Sequence, residues 1–389
     1  MSKQKQEIPE ENGTGFDKLV ELFEQTQTAM QSQAARSVDI ALVVRNWLFG
    51  WYIVEYQQHG ADRAEYGKQL LKTLSSVLNK KLGKGFSVDN IELMRKFYST
   101  FQINSIDGGK SETLSRISTP ISATSSRKLI QLPTSKQNIN DIWQTLSTKF
   151  NLSWSHYVVL MTVKSVDERR FYEIEARENS WGIRELKRQI NSSLYERLAL
   201  SRDKKKVKEL SEKGQLVSEP KDVLKSPYVL EFLGLEEHSS YSEHELESAI
   251  IDKIEHFLLE LGKGFLFEAR QKRFTFDDDH FYVDLVFYNR LLRCYVIVDL
   301  KRDKLTHQDL GQMQMYVNYF DRYVKLDDEK PTVGILLCHS KSSDLVELTL
   351  PENTNIHASE YQLYLPSKEE LKKQLKEAQK DWDEHCRQN

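Results

Sequence analysis

The stretch that decides the fold is Asp284 to Lys301, DLVFYNRLLRCYVIVDLK. It reads as two β-strands carrying charges where a buried sheet should have none. Phe281 to Tyr288 is rich in aromatic and β-branched residues, and Cys294 to Leu300 is an almost unbroken apolar run. Both compositions suit a pleated, half-buried surface. Asn289 and Arg290 lie between them, and Asn tolerates the left-handed backbone of a tight turn. The spacing therefore predicts a hairpin. Strand alternation puts Asp299 and Lys301 on one face. With Tyr288 paired to Arg293, Asp284 falls opposite Ile297 and diagonal to Asp299. Diagonal neighbours lie roughly 7–8 Å apart, a span over which two carboxylates can share one hard cation. Taken alone, the pattern also fits an ordinary salt bridge between Lys301 and Asp299 at a solvated strand end. The flanking sequence favours the functional reading.

Upstream, SEHELESAIIDKIEHFLLEL (Ser242 to Leu261) has a capping-box pattern at Ser242 and Glu245. Leu246, Ile250, Ile254, Phe257, Leu258 and Leu261 recur at helical spacing. Glu247 borders that stripe, where a carboxylate is costly unless it is paired or binds metal; an edge residue reaching solvent is the plainer reading. Gly262 and Gly264 end the helix, Phe265 to Phe276 reads as a strand, and Asp277 to Asp279 as a turn. Downstream, Thr306 to Tyr323 reads as a helix capped by Thr306 and Asp309. Its apolar face is Leu310, Met313, Val317 and Phe320, with Gln312 and Tyr316 four apart on a neighbouring face. Pro331 to Cys338 is a further buried strand. The order is helix, three antiparallel strands, helix, strand.

This order and these residues resemble the PD-(D/E)XK nuclease superfamily. Glu247, Asp284, Asp299 and Lys301 fall at its helix Glu, metal Asp, second acidic residue and Lys. Gln312 and Tyr316 match the Gln-x-x-x-Tyr signature of its RecB-like branch. LELGKGF, DLVFYNR, VDLK and GQMQMYVNYFD look closer still to YhcG-like nucleases, and LSWSHY is similar to that family's N-terminal half. Asp299 departs from the commoner Glu of Glu-x-Lys by one methylene and can still bind metal.

The resemblance implies an α+β multidomain chain with a restriction-endonuclease-like αβββαβ domain. It implies Mg²⁺-dependent hydrolysis of nucleic acid, expected to be DNA, with Mn²⁺ as a substitute ion. Asp284, Asp299 and Glu247 would hold metal, with the Val298 or Leu300 carbonyl as a further ligand. Lys301 would orient water or stabilise phosphate charge, and Gln312 and Tyr316 would steady the site or touch the DNA backbone. An alternative is a nucleic-acid-binding or complex-assembly protein with a degenerate nuclease fold. A third is a structural αβ protein whose charges form salt bridges.

At 389 residues the chain should hold two or three domains. Residues 1–15 read as disordered, 16–215 as a helical DNA-binding half and 220–389 as the nuclease domain. Within the first half, Ala64 to Leu82, Gly83 and Gly85, and a short helix capped by Ser87 form a helix-turn-helix-like pattern. Arg95 and Lys96 on that short helix could face phosphates; a plain helical bundle with solvated charges is the other reading. Residues 104–135, rich in Ser and Thr with Gly108, Gly109, Pro120 and Pro133, read as a loop. Trp181 to Leu198 reads as one amphipathic helix. RDKKKVK (Arg202 to Lys208) is either a solvated face or a phosphate contact.

Net charge is −3, so any nucleic-acid affinity must come from local patches. Three widely spaced cysteines, Cys294, Cys338 and Cys386, suit a reducing cytoplasm. No signal peptide or membrane-spanning run is read. Cleaving both strands of a duplex would favour a homodimer, and protein partners in DNA processing or defence fit the same reading.

Overall fold

Apart from Asp299, the run Cys294–Leu300 offers water little polar surface on either face, so it must be covered on both sides. In the computed structural model it lies inside a six-stranded sheet with helices on each face. The structure describes residues 13–32, 38–59, 64–103, 136–200, 204–225, 227–235, 241–276, 278–351, 354–375 and 377. The expected disordered N-terminus (largely), the Ser/Thr-rich loop and Cys386 lie outside these residues. The chain divides into two units after Lys164.

The first unit contains α1 (Gly13–Ser32), α2 (Val38–His59), α3 (Ala64–Leu82), α4 (Val88–Thr100), α5 (Lys136–Lys149) and α6 (Trp154–Leu160). Val43, Trp47, Leu48, Phe49, Trp51, Tyr52 and Ile53 of α2 are all buried, which makes it a central helix rather than an amphipathic one. Gly50 lets α2 approach α4 closely: a Cβ there would stand 2.1 Å from the Met94 carbonyl oxygen. Ser87 caps α4 by accepting from the Asn90 amide. Ile91, Met94 and Phe97 face inward, while Arg95 pairs with Glu92 at 3.1 Å.

The second unit begins with α7 (Val166–Glu178), α8 (Ile183–Asn191), α9 (Leu194–Leu200) and α10 (Lys204–Lys213). There follow β1 (Tyr228–Val229), α11 (Glu243–Asp252), α12 (Ile254–Leu261), β2 (Phe265–Phe276), β3 (Asp279–Asn289), β4 (Cys294–Lys304), α13 (His307–Tyr319), β5 (Val333–Ser340), α14 (Ser343–Thr349) and β6 (Ile356–Gln362). The sheet order is β1-β6-β5-β4-β3-β2. β2, β3 and β4 pair antiparallel, whereas β4, β5, β6 and β1 run parallel. α11 and α12 pack Leu246, Ile250, Phe257 and Leu261 with Leu285, Phe287, Val298 and Leu300. On the other face α13 packs Leu310, Met313 and Tyr316 with Val286, Ile297 and Leu336. Capping boxes are present at Ser242/Glu245 and Thr306/Asp309.

Four local expectations are corrected. The β3–β4 turn lies one residue later than expected, with Tyr288 opposite Tyr295 and not Arg293, because the buried Asn289 is itself the last residue of β3. Its Oδ1 accepts from the Leu291 and Leu292 amides, which shapes a turn over Arg290–Arg293. The helix from Ser242 to Leu261 breaks at Lys253 (φ −119°, ψ 29°). The helix after Thr306 ends at Tyr319 and runs on as a π-turn over Phe320–Val324. The helix from Trp181 to Leu198 breaks at Ser193, whose φ is 54°, where the Arg197 Nε donates to the Ser192 carbonyl.

Residues 165–213, read from composition with the helical half, pack in the same unit as the sheet. The buried Glu260 of α12 receives Arg197 Nη1 at 2.5 Å, Arg188 Nη2 at 3.4 Å and the Val229 amide at 3.0 Å. The buried Lys225 ammonium donates to its backbone carbonyl. Lys263, just beyond α12, meets Glu175 of α7 at 2.9 Å. Hydrophobic periodicity carries no trace of such charge pairs. The basic run is used within its own unit: Lys206 meets Glu219 at 3.2 Å and Lys208 lies 3.9 Å from Glu212. A further pair of buried carboxylates, Glu168 and Glu196, is met by Lys368 and Lys372 from helical residues 368–375.

Gly50→Ala should lose about 2–3 kcal/mol of stability in urea unfolding, because backbone rather than a flexible side chain blocks the added methyl. Glu260→Gln should lose about 3–5 kcal/mol at pH 7, since Arg197 and Lys225 would keep buried charges without their carboxylate. Burial opposes ionisation of Glu260, but Arg197, Lys225 and Arg188 outweigh it and hold the carboxyl at about 2. Its unfolded value is about 4.3. The unfolded state therefore binds the extra proton between these values, and the contribution of Glu260 is lost as pH falls through that window. The difference between parent and variant should shrink accordingly in acid titrations followed by urea midpoint.

Candidate active site

The site forms where three strands place polar side chains in one row. The β2–β3 register, with Arg270 opposite Leu285 and Lys272 opposite Val283, sets Gln271 opposite Asp284. The β3–β4 register, with Leu285 opposite Val298, sets Asp284 opposite Asp299 at the next step. Continued one step past the last paired residues, this register sets Asp284 directly across from Asp299, where the Tyr288–Arg293 pairing expected from the sequence would have made them diagonal.

Asp284 is held at both oxygens. Oδ2 accepts from the Leu300 amide at 2.9 Å, and Oδ1 accepts from Gln271 Nε2 at 3.1 Å. Asp299 is 2% exposed. Lys301 Nζ lies 2.8 Å from its Oδ2, a close charge contact whose angle falls short of a hydrogen bond. Burial, followed by the repulsion of Asp284, raises the Asp299 carboxyl to about 7. Burial raises Asp284 as well, against the opposing hydrogen bond from Leu300. Burial works against the charge on Lys301, yet Asp299, Glu243 and Asp284 together raise it to about 12. Lys301 is therefore an ammonium at neutral pH.

Glu247, on α11, is 2% exposed. It is fully engaged: Arg270 Nε donates to Oε1 at 2.6 Å and Gln271 Nε2 donates to Oε2 at 2.7 Å. It reaches Asp284 through Gln271. Gln312 and Tyr316 lie on one face of α13, with Gln312 Nε2 donating to the Tyr316 hydroxyl at 2.6 Å. Tyr316 is buried and packs edge-on against Phe274 at 5.6 Å. Burial, then the charge of Asp299, raises its hydroxyl to about 12, so it stays protonated.

The structure thus brings Asp284, Asp299 and Lys301 together, sets Tyr316 within their field, and leaves Glu247 behind an amide and a guanidinium. Among the described residues no three His, Cys, Asp or Glu side chains stand close enough to hold an ion between them. Asp284 and Asp299 suit a hard cation by their chemistry. They are oxygen donors, crowded together, with Asp299 buried and Asp284 half-buried, and one Asp299 oxygen has no aligned hydrogen bond. Arg270 and Gln271 were not singled out from the sequence. A turn over Asp277–Asp279 would have set Lys272 opposite Asp284; the observed pairing of Phe276 with Asp279 sets Gln271 there instead.

A mixed sheet flanked by helices, with an Asp–Asp–Lys cluster on adjacent antiparallel strands, defines a nuclease domain of the PD-(D/E)XK kind. Residues 221–376 match the model of the YhcG PDDEXK nuclease domain, and segments 22–138 and 111–197 match that of the DUF1016 N-terminal domain. The chain is 39% identical over 361 residues to "Putative nuclease YhcG" of Escherichia coli (strain K12), spanning 92% of each. It belongs to the YhcG family of PD-(D/E)XK nucleases. A repair endonuclease from Pyrococcus abyssi aligns over 34% of this chain and 50% of its own length, at 20% identity and a TM-score of 0.22, which is too low to argue from.

Arg270→Met should remove the cation opposite Glu247 while keeping apolar bulk. The side chain of Arg270 is 34% exposed, so solvent screens part of the pair. The expected loss is about 1–3 kcal/mol in urea unfolding, below that of a fully buried ion pair.

Proposed function

We propose that this chain hydrolyses phosphodiester bonds in DNA with a divalent cation, Mg²⁺ or Mn²⁺, as cofactor. The observation that carries the reading is the row formed by the half-buried Asp284 and the buried Asp299 with the Lys301 ammonium beside it. Two carboxylates forced together in a sheet hold a repulsion that a dication relieves. Asp284 and Asp299 would hold the ion. When bound, it supplies a Lewis acid and a water of lowered pKa.

The rest of the chemistry falls to the chain. The Leu300 amide fixes the orientation of Asp284, as an outer partner does for a ligand. Lys301, charged at neutral pH, sits where it can stabilise charge developing on a phosphate oxygen. Tyr316, kept neutral and anchored by Gln312, can donate its hydroxyl proton in a hydrogen bond but does not supply a base. Glu247, paired with Arg270, supports the row through Gln271. Exposed lysines and arginines elsewhere, including the helical first unit, would position the nucleic-acid backbone.

Asp284→Asn preserves shape and removes charge. On labelled single-stranded and duplex DNA with Mg²⁺, the variant should bind about as well as the parent and cut at least about a hundredfold more slowly, the scale of losing one electrostatic stabiliser of the transition state. Binding of both should weaken steeply across a salt series. Cleavage by the parent that persists in excess EDTA would rule out the metal-dependent reading.

A further inference from the structure

Gln271 is the one described side chain that joins Glu247 to Asp284. Its amide donates to both, at 2.7 and 3.1 Å. Its backbone φ is 47°, a left-handed conformation for a residue with a Cβ in the middle of a strand. Such a residue keeps that conformation only where its surroundings over-determine it, at a cost of about 1–3 kcal/mol. The two oxygens of Asp284 are not equivalent. Oδ2 is tied to the Leu300 backbone, whose place is fixed by the sheet. Oδ1 is the oxygen left for any other partner, and Gln271 holds it. Glu247 is also held by Arg270, so the amide is not needed to neutralise it.

We propose that Gln271 is a positioning residue that bridges Glu247 and Asp284 and competes with a divalent cation for Asp284 Oδ1. This rests on the metal-dependent reading above and deepens it. A cation arriving at Asp284 must share or displace the amide. The amide then passes wholly to Glu247, which keeps that carboxylate out of the ion's immediate shell. Gln271 so sets the cation concentration at which the site loads, without touching substrate.

The test uses the full chain and Mn²⁺ alone. Gln271→Asn keeps an amide and a residue type that tolerates left-handed backbone, yet is one methylene too short to span both carboxylates. Gln271→Met keeps the length and removes the donor, giving a second variant should one fold poorly. Calorimetric titration should show both variants binding Mn²⁺ about tenfold more tightly, the worth of one hydrogen bond to a charged group. Melting temperature should fall relative to the parent in EDTA and match it in saturating Mn²⁺, a pattern that a purely structural role would not give. A parent that binds Mn²⁺ with variants of equal or weaker affinity overturns the proposal alone. A parent that binds no Mn²⁺ overturns the metal-dependent reading and this proposal with it.

Discussion

A slip of β3 by one residue against β4 would turn Asp284 to the opposite face of the sheet and dissolve the site. Side chains alternate strictly along a strand, so register and chemistry here are the same constraint. Asn289 enforces it from the turn: its side chain accepts from Leu291 and Leu292, and its own amide donates to the Lys263 carbonyl, tying the turn to the end of α12. The apolar residues between the polar ones enforce it from the core, because Leu285 and Phe287 belong to one packed layer and Val286 to the other. The polar row is thus placed by the residues that alternate with it.

The same unit shows two opposite treatments of a buried carboxylate. Glu260 is surrounded by two arginines, a lysine and a backbone amide, and its carboxyl lies at about 2. Asp299 has one lysine and a neighbouring carboxylate, and rises to about 7. The first arrangement is closed, with its charge answered from within the protein. The second is left short of positive charge, which is the condition under which a site has affinity for an ion. Two buried carboxylates of one unit thus differ in charge state because of what surrounds them.

Much of this was legible in the chain itself. Apolar alternation and capping residues located β2, β3, β4, β5, α4 and α13 closely, and Asp284, Asp299 and Lys301 stand near one another, though in a register two residues from the one expected. What stayed hidden was set by polar contacts between distant segments. The break at Ser193 depends on Arg197, and the shared packing of residues 165–213 with the sheet depends on Glu260 and Glu175, none of which has a periodic signature. Gln271 escaped notice because an uncharged residue in the charged run RQKR announces nothing until its cross-strand partner is known.

Glu168 and the lysine that meets it, Lys368, are separated by 200 residues. At a synthesis rate of about 5–20 residues per second, that gap corresponds to roughly 10–40 seconds on the ribosome. Throughout that time Glu168 and Glu196 have no lysine to meet, and burying them would be costly. The first unit, ending at Lys164, has no such wait. Translation therefore lets the helical unit mature while the second unit is still an unfinished nascent chain that lacks the late lysines its buried carboxylates meet.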